Sequence, residues 1–212
     1  MEEYTVRKQL VRMQVSEKWL RREKGAGLIV VIMILAFMLS VGLVLIKTTT
    51  TGKKVSANVR YQHQAFNAAE AGFDAAKIAI DGFFADSIWV NFDGLTLTEP
   101  DNIDLPTTDG TTINPDYFRC LTDIQILNKL DANGDGSPDY PNVLFFKWPY
   151  ILDESGDLDL RFTYTAFLIA DEASGGTPDA NDVLMVCIGT AGTGSNMTTS
   201  RLEIEIAIET II

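Results

Sequence analysis

Residues 26–46 read AGLIVVIMILAFMLSVGLVLI, 21 positions without a charge. At about 1.5 Å of rise per residue, a helix of that length covers about 31 Å, the hydrocarbon thickness of a bilayer. An apolar run this long is rarely buried in a soluble chain of 212 residues, so the sequence predicts one membrane-spanning helix, and no second run approaches it. The run also explains how a mean hydropathy of +0.09 coexists with a net charge of −12. One greasy block beside an acidic remainder produces both. With 46% apolar residues and 11 Phe, the remainder has enough to bury a core, which excludes disorder. A pI near 4.4 argues against nucleic acid as a partner, because a phosphate backbone is held by clustered Lys and Arg.

The charges on either side of the run orient it. Upstream lie Arg7, Lys8, Arg12, Lys18, Arg21, Arg22 and Lys24 against Glu2, Glu3, Glu17 and Glu23, which leaves 10 basic and 25 acidic residues for the rest of the chain. The positive-inside rule keeps the N-terminus in the cytoplasm and exports the acidic C-terminal part. A secretory signal peptide has a shorter apolar core and a small-x-small cleavage site, whereas this run continues into Lys47 and a Thr tract.

Beyond the span, VSANVRYQHQAFNAAEAGFDAAKIAIDGFF (55–84) contains no Pro. Val59, Phe66, Phe73 and Ile80 repeat every seven positions, with Gln62, Ala69, Ala76 and Phe83 as a second stripe, which predicts an amphipathic helix whose seam packs on a sheet. Lys54, Arg60, Asn67, Asp74, Lys77 and Asp81 form the solvated face. Gly42, Gly52 and the tract Thr48 to Thr51 are weak helix formers and predict a bend or melted turn near the membrane exit. Residues 91–118 are rich in Asn, Asp, Gly, Thr and Pro and read as an irregular connection. Strands are predicted at 142–148, 158–170, 182–189 and 201–211, with turns at Gly175-Gly176 and along 189–200. In the last strand Leu202, Ile204, Ile206 and Ile208 face one side and Glu203, Glu205 and Glu209 the other. The expected fold is α+β, a long N-terminal helix packed on an antiparallel sheet.

The basic leader ending in Lys24-Gly25, the charge-free helix from Ala26, the Thr-rich exit, Asn58 and the run Ala65-Phe66-Asn67-Ala68-Ala69-Glu70-Ala71-Gly72 resemble the N-terminal region of PilX-type minor pilins of type IV pili. The closing strand, RLEIEIAI, resembles the end of the same family. The resemblance implies a pilin-like fold divided into a leader (1–25), a transmembrane and filament-core helix (26–46), its amphipathic continuation (47–84) and an exported β domain (85–212). It implies cleavage after Gly25 by a prepilin peptidase, methylation of Ala26, a single-pass inner-membrane precursor, and assembly with other pilin subunits through the helix and the pilus machinery. Major pilins carry Glu at the fifth mature residue, where this chain has Val30. The resemblance implies that the Glu pairs with the terminal amine of the subunit above, so Val30 is least costly at a priming or tip position. A pseudopilin of type II secretion and a permanently membrane-anchored calcium-binding ectodomain are the other readings.

Cys120 and Cys187 both fall in the exported part, where an oxidising compartment predicts one disulfide, and no Cys/His spacing points to zinc. The segment DANGDGSPDYPN (131–142) has calcium-loop spacing. Asp131, Asn133 and Asp135 stand at positions 1, 3 and 5, Gly136 at 6, the Ser137 carbonyl at 7 and Asp139 at 9, which predicts a Ca²⁺ site. Position 12 is Asn142 in place of a bidentate Glu, and Asp153, Glu154, Asp157 and Asp159 are candidates to complete the shell. His63, the only histidine, falls on the polar helix face, so no Ser/His or Cys/His catalytic set forms. The expectation is a structural and interaction protein, with no small-molecule substrate.

Overall fold

The computed structural model describes residues 2–170 and 179–208, with side chains from Gly27 onward except that of Ser195. The chain divides after Ser56 into two units. The first is helix throughout and forms the N-terminal part of α1 (Glu2–Ala85). Thr48, Thr49, Thr50 and Thr51 each donate a hydroxyl to the carbonyl four residues back, at 2.8, 2.8, 2.8 and 3.0 Å. α1 runs through the tract without a melted turn, contrary to that half of the expectation of a bend or melted turn.

The second unit holds the end of α1, then α2 (Asp123–Leu130), β1 (Val143–Pro149), β2 (Phe162–Ile169), β3 (Asp182–Ala191) and β4 (Thr198–Ala207). The strands form one antiparallel sheet in the order β1-β2-β3-β4. The fold is α+β, a helix packed on a four-stranded sheet. Strand alternation sorts the core into two layers. Ala166 and Leu168 of β2 with Val183, Met185 and Cys187 of β3 face α1, where Ala76 and Ile80 of the helix and Phe92 beyond its end cover them. Phe167, Ile169, Leu184, Val186 and Ile188 point the other way, into Leu97, Ile103, Phe118, Ile126, Leu127 and Leu130. Both faces of the central strands are therefore dry, and every residue of β2 is buried.

The cover on the second face is built from the irregular connection. Asn114 is buried and donates its amide to the carbonyls of Asn102 at 2.9 Å and Leu105 at 3.0 Å, which folds 102–114 back on itself. The helix α2 was not foreseen. Its signals are present in the sequence: Thr122 and Gln125 make a capping box, and Ile126, Leu127 and Leu130 form a buried stripe at helical spacing. Arg201 of β4 ties this layer down, with 2.6 Å to Asp123 and bonds to the carbonyls of Phe118 and Leu121. The predicted strand at 158–170 begins only at Phe162, because Leu158 bridges back to Leu152 in an exposed hairpin. The predicted turn at Gly175-Gly176 and the strand end beyond 208, with Glu209, lie outside the described residues.

Candidate functional site

The apolar segment of α1 presents its side chains outward. The bulky apolar residues from Leu28 to Ile46 are between 40 and 68% exposed, and an 18-residue window here reaches a mean hydropathy of 3.2, so this helix is long and apolar enough to cross a membrane. Its exposed side chains require lipid or neighbouring helices as cover. Gly25 and Ala26, the expected processing pair, are helical in backbone, and their side chains lie outside the described ones.

Where α1 meets the sheet, the seam differs from the one read from heptad spacing. Val59 and Phe66 are 48 and 41% exposed, and Phe73 is half-buried. The buried line is Ala65, Ala68, Ala69, Gly72, Ala76 and Ile80. Close approach of two backbones explains the substitution of small residues for large. A Cβ on Gly189 of β3 would strike the Ala65 carbonyl oxygen and the Ala69 amide nitrogen, and one on Gly72 would come to 2.9 Å from the Tyr164 Cβ. A Phe has no room in such a contact, so Phe66 turns out of it. Small residues in AFNAAEAG therefore have a packing role, and of these the heptad spacing puts only Ala69 in the seam. Glu70 and His63 are both exposed.

The loop 131–142 is closed by its own side chains. Asp131, which ends α2 and is almost fully buried, pairs with Lys147 Nζ at 2.8 Å. Asp139 accepts from the Ala132 amide at 2.8 Å and from Asn133 Nδ2 at 2.7 Å. Asn133 accepts from the Asp135 amide and Asp135 from the Ser137 amide, each at 2.8 Å. Gly134 and Gly136 take the left-handed conformations, φ 73° and 87°, that such a tight loop needs. The hydrogen bond and charge of Lys147 hold the Asp131 carboxyl below the usual carboxylate range. Four of the five expected calcium donors, Asp131, Asn133, Asp135 and Asp139, thus share one loop, in which their side-chain oxygens accept from loop amides, the Asn133 side-chain amide and, at Asp131, an ammonium. Among the described residues no group of three or more Asp, Glu, His or Cys gathers to hold a metal. Asp153 and Asp159 serve their own turns. Asp153 accepts from the Ser155 and Asp157 amides, and Asp159 pairs with Arg161 at 2.7 Å.

The expected disulfide is not formed in this structure, because Cys120 and Cys187 carry free thiols. Alternation along β3 places Cys187 on the face under α1, where burial pushes its pKa up to about 12. Cys120 is exposed and sits between Phe118 and Leu121, in the layer covering the opposite face of the sheet.

Residues 24–74 match the protein-family model described as PilX N-terminal. The match spans the apolar helix, the Thr tract and the small-residue seam through Gly72, and it coincides with the region in which the sequence resembles PilX-type minor pilins. No curated protein and no solved structure matches the chain.

Proposed function

We propose that this protein is a minor pilin of a type IV pilus, with its acidic domain exported on the outer end of a membrane-spanning helix. The observation that carries this reading is the coincidence of the matched segment 24–74 with a helix whose apolar half is exposed and whose following turns seat on the sheet. In a bilayer, lipid covers residues 28–46; in a filament, the helices of neighbouring subunits do so. The same helix therefore suits both a membrane precursor and an assembled subunit. Two buried layers give the exported domain a rigid body to present at the filament surface.

A priming or tip position is the finer reading. Val30 supplies no carboxylate for a terminal amine of a subunit above, and a subunit at the end of a filament has none to satisfy. Immunogold labelling of sheared filaments, with antibody raised against residues 57–212, tests both levels. Particles at one end support tip placement. Particles along the whole length contradict it, and filaments without label contradict filament membership.

A further inference from the structure

The two edges of the sheet are built differently. β1 slips register against β2 twice, between Val143 and Phe145 and between Phe145 and Trp148. It also holds Lys147 at φ 46° and ends in Pro149. Each feature spoils the edge as a template for another strand. β4 has none of them, and its ten residues pair with β3 without a shift. The Ile208 amide donates to the Asn181 carbonyl at 2.7 Å, so two-residue alternation turns the amides of Ala207, Glu205, Glu203 and Arg201 away from β3. Among the described residues, no acceptor meets these four amides and the sheet ends at β4.

The side chains along this edge form two rows. Leu202, Ile204 and Ile206 are half-buried on the α1 side, with Leu202 and Ile206 against the cluster around Met185 and Cys187. Glu203 and Glu205 are exposed on the other side. Glu203 lies 2.9 Å from Arg119 and 3.6 Å from Arg201, whereas Glu205 has no cation beside it among the described residues. A strand laid on this edge would place one row of side chains over the half-buried aliphatic row and the other beside the glutamates. Aliphatic residues complete the first row, and Lys or Arg answers the second.

We propose that the outer edge of β4 is a strand-addition site for an extended segment of a partner protein that alternates basic with aliphatic residues. Main-chain bonds to the four outward amides and their carbonyls supply the attachment, and the two rows select the sequence. A second copy of β4 is disfavoured because it sets glutamate against glutamate in a chain of net charge −12. The inference stands on the sheet alone and does not depend on the pilus reading.

The test uses the full-length protein in detergent micelles and a capped nonapeptide of alternating lysine and valine. Hydrogen exchange should show the amides of Arg201, Glu203, Glu205 and Ala207 protected when peptide is added. Glu205→Pro removes an outward amide that β3 does not use, so it should leave β3 protected and weaken the peptide at least tenfold. Glu205→Lys reverses the selection, losing the lysine peptide and gaining its glutamate–valine counterpart, and it carries the test if the proline variant does not fold. Three outcomes overturn the proposal: no protection at these amides, equal affinity for a peptide of the same composition with its lysines in one block, or concentration-dependent self-association that Glu205→Pro abolishes, which would make the occupant a second copy.

Discussion

Gly189 of β3 lies directly under the backbone of Ala65 in α1, so close that a methyl group on the strand would overlap the helix carbonyl. Helix and sheet here touch main chain to main chain. No rotamer change relieves an added Cβ, and the helix has to lift.

The first prediction follows from that contact. Gly189→Ala is expected to cost about 3 kcal/mol, at the upper end for an overpacked core, and to lower the Tm of the domain that carries the sheet by roughly 10 °C. Gly82 in the same helix has nothing within 4 Å of its missing Cβ, so Gly82→Ala should stabilise by up to about 1 kcal/mol. Phe66→Ala, at an exposed position, should change stability by about 0.5 kcal/mol or less. Thermal denaturation of the three variants checks the order, and a Gly189→Ala protein as stable as the parent would contradict the seam.

The heptad of Val59, Phe66, Phe73 and Ile80 was visible in the sequence and half misleading. Large apolar residues mark a buried face only when the partner surface leaves room, and the glycine on β3 that closes this gap lies 124 positions from Ala65. Long-range proximity of that kind has no local signal. The closing strand was legible, because Leu202, Ile204 and Ile206 alternate with Glu203 and Glu205 and one face is dry. The short helix α2 was missed although its capping pair, Thr122 and Gln125, stood in the open. Calcium-like spacing at 131–139 marks a tight loop, and Lys147 of β1 pairs with Asp131 there, a partner that no spacing within the loop reveals.

The second prediction concerns acid. Lys147 beside Asp131 and Arg161 beside Asp159 hold both carboxyls below the ordinary value of 3.8, and the Thr112 and Thr111 amides bring Asp109 down to about 2. Folded-state values below the unfolded ones mean that these groups stabilise the fold above about pH 4 and lose that contribution as pH falls through the lowered values. Asp104 has the opposite sign, since burial raises its carboxyl and protonation favours its folded form. With three groups against one, the Tm should fall between about pH 4 and pH 2, and less steeply in Lys147→Gln. Calcium at about 5 mM, above the weak extracellular range, is expected to leave the Tm at neutral pH unchanged, because Lys147 already neutralises Asp131. A calcium-dependent rise that Asp131→Asn removes would contradict this arrangement and support the calcium reading of the loop.

The third prediction separates the two thiols. Folded protein at pH 8 should react with one equivalent of maleimide, at Cys120, while Cys187 reacts only after unfolding, since burial keeps its thiol protonated. Peptide mass spectrometry locates the label. Protein recovered from an oxidising compartment with no reactive thiol and a Cys120–Cys187 crosslinked peptide would show that the pairing forms and that the layers around Cys187 rearrange to allow it.

The apolar helix from Ala26 is expected to enter a filament as a processed pilin. Mass spectrometry of the N-terminal peptide from sheared, washed filaments checks this. The expected chain begins at Ala26 with a methylated amine, the leader through Gly25 having been removed. Filament material carrying the intact Met1 terminus, or protein found only as an unprocessed chain in the membrane, would contradict it and leave an anchored ectodomain in its place.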